Sequence, residues 1–409
     1  MEVPRSVAIA GASLAGASAA LALRDEGFAG RIVLVGAETE LPYERPPLSK
    51  KYLSGEQAFD KALVRPEVVY EEQRVELLLG TPVTSVDPRG RALVLADGRR
   101  VRADRLLVTT GGRNRRPPIP GLDLPGVHDL RTRADSDAIR AELHAGARAV
   151  VVGMGFIGSE VAATVRTAGV DVVAIEAFAV PLERVLGPEV GSALASLHRD
   201  HGVELVLGEG VASIEGDGRV RRVRTVSGRT VECDLVVTGL GIEPNTELVE
   251  GSGVDVDDGI VVDELCRTSV EGIYAAGDVA RHHHPIFRAH VRVEHWLNAI
   301  EQGRAAARSM LGNGAPYAEL HWFWSDQYDA NLQYAGHHRD WDELVVRGSL
   351  EERRFVGYYL KDGVPLAAVA LNMGRDLRRS FGLLRARRPV DPELLRDPDV
   401  DLRTVAPDA

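Results

Sequence analysis

A chain of 409 residues is too long for one ordinary hydrophobic core, so two or three domains are expected. With 44% hydrophobic and 27% charged residues, no apolar run near about 18 residues and no basic-then-apolar leader, it reads as a globular cytoplasmic protein outside any membrane. A net charge of -11 argues against nucleic acid as the main partner, so an anionic small molecule has to be held locally, and two lone cysteines, Cys233 and Cys266, exclude a C-x-x-C redox centre.

The chain opens with SVAIAGASLAG, Ser6 to Gly16. Val7 to Ala10 form a short apolar run suited to a buried parallel strand, and Gly11 ends it. Leu14, Ala17 and Leu21 then fall at helical spacing, with Gly27 as the stop, and RIVLVGAE reads as a second strand ending at Glu38. A glycine turn between strand and helix lets backbone approach a pyrophosphate, while the helix aims its free N–H groups at the charge. Gly11, Ser13 and Gly16 occupy the G-x-G-x-x-G positions with serine in the middle, a residue small enough for the site and able to donate to a phosphate oxygen.

LLVTTG, Leu106 to Gly111, is a further apolar strand opening into glycines, and GRNRRPPIPG reads as a crossover. The stretch RAVVVGMGFIGSEVAATVRTAGVDVVAIE then repeats the opening arrangement with a complete fingerprint, Gly153, Gly155 and Gly158, 142 residues after the first. Its acid, Glu176, stands 23 residues after Gly153, and Glu38 stands 27 after Gly11. LVVTGLG, Leu235 to Gly241, echoes LLVTTG. Two dinucleotide-binding domains follow, the second inserted in the first, with GIYAAGDVA returning to the first. A carboxylate at Glu176 accepts ribose hydroxyls and repels a 2'-phosphate, and the next residues are Ala177, Phe178 and Ala179 rather than arginine, which favours NADH over NADPH. His282, His283 and His284 have no carboxylate or cysteine at ligand spacing and read as a polar surface loop, so no metal is expected. After about Asn313, Pro316 and the run HWFWSDQYDANLQYAG mark a smaller α+β domain with an arginine-rich end.

Several motifs together carry a resemblance: LPYERPPLSKKYLSG, GMGFIGSEVAA, GIEPNTEL, GIYAAGDVA, RVEHWLNAIEQG and FWSDQYDANLQYAG. In this order they resemble the two-dinucleotide-domain flavoprotein reductases, and among them the ferredoxin reductases of cytochrome P450 and Rieske-type oxygenase systems. The resemblance implies an α/β fold with FAD held by residues 1–112 and 242–313, NADH by 113–241, and a C-terminal domain over 314–409. It places Gly11, Ser13, Leu14, Ala15, Gly16, Glu38, Arg45, Lys50, Val83, Thr110, Gly111, Arg131, Asp278 and Trp296 along the FAD. Gly153, Gly155, Phe156, Ile157, Gly158, Glu160, Glu176, Gly239 and Glu294 line its NADH site.

Lys50 and Glu160 resemble the family's paired charge beside the flavin, and Trp324 the aromatic at the electron exit, with Trp322 as a second candidate. Arg375, Arg378, Arg379, Arg385, Arg387 and Arg388 either steer an acidic ferredoxin or form a solvated helix face. The implied reaction is hydride transfer from NADH to FAD, followed by single-electron transfer to a transiently docked [2Fe-2S] ferredoxin. The absence of C-x-x-C removes the disulfide reductases of the wider superfamily. Reductases of rubredoxin, monodehydroascorbate or quinones, and redox-signalling flavoproteins like apoptosis-inducing factor, stay open, as do a monomer and a homodimer.

Overall fold

The computed structural model describes residues 4–405. It divides into two compact units, one built from the residues up to Glu44, Phe59–Arg113 and Glu243–Trp322, the other from Arg45–Ala58, Asn114–Ile242 and the residues from Phe323 on.

The first unit is organised by a five-stranded sheet in the order Ile273–Ala275, Arg105–Val108, Ser6–Ala10, Arg31–Val35, Val75–Leu78. All neighbours are parallel. Both faces of a parallel sheet are covered, and VAIA and IVLV are accordingly buried along their whole length. The helix Leu14–Asp25 is alanine-rich because it is hemmed in on several sides. Its neighbour, Trp296–Met310, approaches so closely that a Cβ on Gly303 would stand 2.5 Å from the carbonyl oxygen of Ala15.

A second parallel sheet organises the other unit, in the order Glu204–Leu207, Asp171–Glu176, Arg148–Val152, Leu235–Thr238, Val127–Asp129. The echo in the sequence has a topological meaning. Arg105–Val108 lies beside Ser6–Ala10, and Leu235–Thr238 lies beside Arg148–Val152, so each occupies the same place next to a fingerprint strand. From Phe323 on, the same unit contributes to a five-stranded sheet in the order Trp322–Gln327, Ala330–Gly336, Val364–Leu371, Arg354–Lys361, Glu343–Ser349, its last four strands antiparallel, followed by short helices. This is the α+β element expected at the C-terminal end. No helix among the described residues is long and apolar enough to cross a membrane.

Two expectations are corrected. The second strand ends at Val35, with Gly36 N still donating to Leu78 O of the neighbouring strand, and Glu38 follows in a bend beyond the ladder. His282–His284 are not a surface loop but the end of the strand Ala280–His284, paired with Ile260–Val262 on one side and Ala289–Val291 on the other. Strand alternation buries His282 and His284 and turns His283 outward, an outcome that a polar composition does not reveal.

Candidate functional site

Both fingerprint turns are built the same way. Gly11 and Gly153 sit at φ +115° and +89°, each at the end of a buried strand, a backbone state that a side chain rarely adopts. The last glycine of each motif is a packing requirement. A Cβ on Gly16 would stand 2.0 Å from Gly11 O, and one on Gly158 would stand 1.9 Å from Gly153 O. The middle position differs in kind. Ser13 and Gly155 are the N-caps of the helices Leu14–Asp25 and Phe156–Thr167, both with extended backbone at negative φ, -111° and -71°. Neither needs glycine for its conformation, which explains why serine stands there. The Ser13 side chain makes no capping hydrogen bond, and Leu14 and Ala15 form the first turn behind it.

In the second unit Glu176 ends its strand and is anchored by backbone. Its carboxylate accepts hydrogen bonds from Met154 N at 2.6 Å and Phe178 N at 3.0 Å, which holds it beside the fingerprint turn. Gly239 joins the same turn, with a Cβ there lying 3.1 Å from Gly158 N. Phe156 and Ile157 form the first turn of the helix, Ile157 exposed and Phe156 edge-on to Phe323 with ring centroids 4.7 Å apart. In the first unit Glu38 accepts a hydrogen bond from Tyr43 Oη. Thr110 Oγ1 donates to Asn245 O at 2.8 Å and Asn245 Nδ2 returns a bond to Thr110 O at 2.9 Å, pinning the turn that contains Gly111.

The most constrained charge lies on the helix Phe156–Thr167. Lys50 Nζ stands 2.6 Å from Glu160 Oε2, the carboxylate 4% exposed and the lysine 16%. Ser49 Oγ donates to the same oxygen at 2.5 Å, and Ser325 Oγ donates to Glu160 Oε1 at 2.7 Å, itself accepting from Gln327 Nε2. Three donors satisfy the hydrogen-bonding demand of the buried carboxylate. Ser49 and Ser325 meet the Lys50–Glu160 pair without having been singled out in the sequence, although both lie inside the motifs LPYERPPLSKKYLSG and FWSDQYDANLQYAG; an isolated serine has no periodicity to mark it.

The remaining residues are placed singly. Arg45 Nη1 donates to Arg131 O, which joins these two, and Val83 begins the strand Val83–Asp87. Asp278 follows the strand Ile273–Ala275, and its carbonyl accepts a bond from Arg292 Nη1, 3.4 Å away. Glu294 belongs to the first unit, ion-paired to Arg292 at 2.7 Å. Trp296 opens its helix; burial raises the nearby Glu44 carboxyl above its ordinary value, and the Trp296 indole and Arg65 oppose the rise. Trp324 Nε1 donates to Asp326 Oδ2 at 3.1 Å. Trp322 starts the same strand, half-buried. Cys233 and Cys266 are free and buried, and burial pushes each thiol up to about 12, so neither supplies a thiolate.

The residues present fit a dinucleotide at each fingerprint. A Cβ placed on Gly155 would meet nothing within 4 Å, so the mouth of the second turn is open space lined by backbone, with an anchored carboxylate beside it.

The fold and these turns define a dinucleotide-dependent redox protein. The description "Pyridine nucleotide-disulphide oxidoreductase" matches residues 5–303 and "Reductase C-terminal" matches 322–406, and the chain belongs to this family. It is an oxidoreductase whose cofactors are FAD and NAD(H). Among its relatives, rhodocoxin reductase of Rhodococcus erythropolis is 39% identical over 97% of this chain and 93% of its own length. The ferredoxin–NAD(+) reductase component of the anthranilate 1,2-dioxygenase system of Burkholderia cepacia is 41% identical over 97% of this chain and 98% of its own. The reductase in the crystal structure of the covalent putidaredoxin reductase-putidaredoxin complex superposes with a TM-score of 0.95 at 38% identity, covering 99% of this chain and 98% of that one.

Proposed function

We propose that this protein is a cytoplasmic NADH-dependent reductase of a [2Fe-2S] ferredoxin that serves a cytochrome P450 or Rieske oxygenase. The observation that carries the reading is the buried Lys50–Glu160 pair, set on the helix that opens at the second fingerprint, in a chain without a usable thiolate. Full-length similarity to reductases named for rhodocoxin, putidaredoxin and a dioxygenase ferredoxin supports the acceptor class.

In this reading residues 1–112 and 242–313 hold FAD, 113–241 hold NADH, and 314–409 form the C-terminal domain. Bound, the flavin supplies the conversion of a two-electron hydride donor into single electrons for an iron–sulfur acceptor. The chain's own groups position and neutralise. Backbone N–H groups after Gly11 and Gly153 meet the pyrophosphates, while Glu38 and Glu176 accept from adenosine riboses. Arg45, Val83, Thr110, Gly111, Arg131 and Asp278 line the FAD, and the N-terminal dipole of the Trp296–Met310 helix favours negative charge on it. Gly239 and Glu294 border the NADH. Glu160, which faces three donors, fixes the Lys50 side chain near the reactive edge, so that the two set local charge there. Trp324 stands at the exit toward the ferredoxin.

The test is NADH-driven reduction of purified acceptors by the FAD-loaded enzyme. Saturable turnover with a [2Fe-2S] ferredoxin that exceeds turnover with rubredoxin, monodehydroascorbate or a quinone is expected. A preference for one of those three overturns the acceptor. Slow flavin reduction with a long-lived charge-transfer band and no turnover favours a signalling flavoprotein instead.

A further inference from the structure

The residues with no part in the redox reading are the buried histidines. One ring nitrogen from each of His282, His284 and His321 lies within 4.8 Å of the others, and the three residues are 1%, 0% and 2% exposed. Strand alternation puts His282 and His284 on one face, and His321, just before the strand Trp322–Gln327, meets them there. The ring centroids of His284 and His321 are 4.7 Å apart, and those of His282 and His321 are 5.4 Å apart. Phe287 and Tyr317 wall the cluster, with centroids 3.9 Å from His284 and 5.3 Å from His282 respectively.

We propose that His282, His284 and His321 form a binding site for a divalent transition ion of the zinc type. Three imidazole nitrogens select zinc, nickel or copper over magnesium or calcium, which take oxygen ligands. The second shell has the form such sites use. His284 Nε2 faces the carbonyl oxygen of Glu319 at 2.9 Å, and a carbonyl only accepts, so Nε2 carries the proton and the lone pair is on Nδ1. That atom has a long 3.4 Å contact from Phe287 N, which an ion would replace. Nitrogens sharing one zinc at about 2.1 Å stand no more than about 4.2 Å apart, so small ring rotations complete the site. Bound there, the ion fastens the strand Ala280–His284 to the segment that leads from the Trp296–Met310 helix into Trp322. It is a structural ion, independent of the acceptor the enzyme reduces.

The FAD-loaded protein, dialysed against a chelator, is titrated with Zn2+ in competition with a chromophoric chelator, and its metal content and thermal midpoint are measured. One tight Zn2+ per chain and a raised midpoint are expected. His282→Gln and His321→Gln, each checked for unchanged flavin content, should weaken binding by about 100-fold or more. His283→Gln, on the outward face of the same strand, should leave it unchanged. X-ray absorption of the wild-type zinc form reports the ligand set without any variant, and three imidazoles are expected. Binding of less than about a tenth of an equivalent, or binding indifferent to His282 and His321, overturns the proposal, as does a spectrum with fewer than three imidazoles.

Discussion

Lys50 Nζ and Glu160 Oε2 stand 2.6 Å apart, and Ser49 and Ser325 supply the carboxylate with its two further donors. Removing one partner of a buried pair leaves the other charge uncompensated, which costs about 3–5 kcal/mol, toward the lower end here because Lys50 keeps some exposure. Glu160→Gln should therefore lower stability by about 3 kcal/mol in urea denaturation. It should also slow bleaching of the flavin by NADH in stopped flow by about tenfold. The double variant Lys50→Met/Glu160→Gln should be less destabilised than the sum of the singles, since the orphaned charge is then gone.

Acid sensitivity should come from a buried imidazole, His198, and a half-buried one, His338. Burial lowers His198 from its ordinary 6.5 to about 4, against a smaller raising effect from Gln327, and burial likewise lowers His338 to about 4. Below pH 6.5 the unfolded chain takes up protons that the folded chain refuses until about pH 4. The stability is complete above the unfolded value and is lost as pH falls across this window, by roughly 3 kcal/mol for each histidine. Denaturant midpoints measured from pH 7.5 to 4.5 should fall accordingly. In His198→Gln, which can still meet Gln327 and Tyr328, the slope should be about half as steep.

The repeat made most of this architecture legible. Short apolar runs ending in glycine marked Ser6–Ala10, Arg148–Val152 and their two echo strands, because a parallel strand covered on both faces has to be apolar along its length. Val127–Asp129 joins the second sheet but has three residues and no pattern of its own; its place comes from pairing with Leu235–Thr238. Lys50 and Glu160 were legible through their motifs, whereas the serines that complete the pair depend on tertiary contact. The histidines were misread for a related reason. His321 lies 37 residues beyond His284, and only folding brings the third ring to the other two.

The three positions of a fingerprint should respond differently to one methyl group. Gly158→Ala drives a Cβ into Gly153 O at 1.9 Å and should destabilise the unit by about 3 kcal/mol or prevent folding. Gly155→Ala meets nothing within 4 Å and has an ordinary φ, so the midpoint should stay within about 0.5 kcal/mol of wild type. If the NADH pyrophosphate crosses this turn as proposed, the added methyl takes up its space, and the KM for NADH should rise by about tenfold. Ser13→Gly, at the equivalent place in the first turn, should retain FAD; loss of FAD would show that the hydroxyl itself holds the phosphate.

Glu176 has both carboxylate oxygens on backbone donors, Met154 N and Phe178 N, so it presents a fixed negative edge. Glu176→Ser combined with Ala177→Arg removes the repulsion toward a 2'-phosphate and adds a guanidinium that binds one. The ratio of kcat/KM for NADPH to that for NADH should rise by about 100-fold. An unchanged ratio would remove Glu176 from the ribose site.

Trp324 gives the sharpest separation between the two halves of the reaction. Its indole N–H is tied to Asp326, whose other oxygen accepts from Asn331 Nδ2 at 2.6 Å, so the ring is held by a short chain of bonds across the Trp322–Gln327 and Ala330–Gly336 strands. If the ring serves ferredoxin rather than NADH, Trp324→Ala should leave flavin bleaching by NADH near wild type. Ferredoxin reduction should slow by about tenfold, the loss of about 1.4 kcal/mol expected of an aromatic anchor. Trp324→Phe keeps a ring but loses the tether to Asp326 and should fall between the two. Equal slowing of both half-reactions by Trp324→Ala would make the tryptophan a packing residue of the C-terminal sheet and move the electron exit elsewhere.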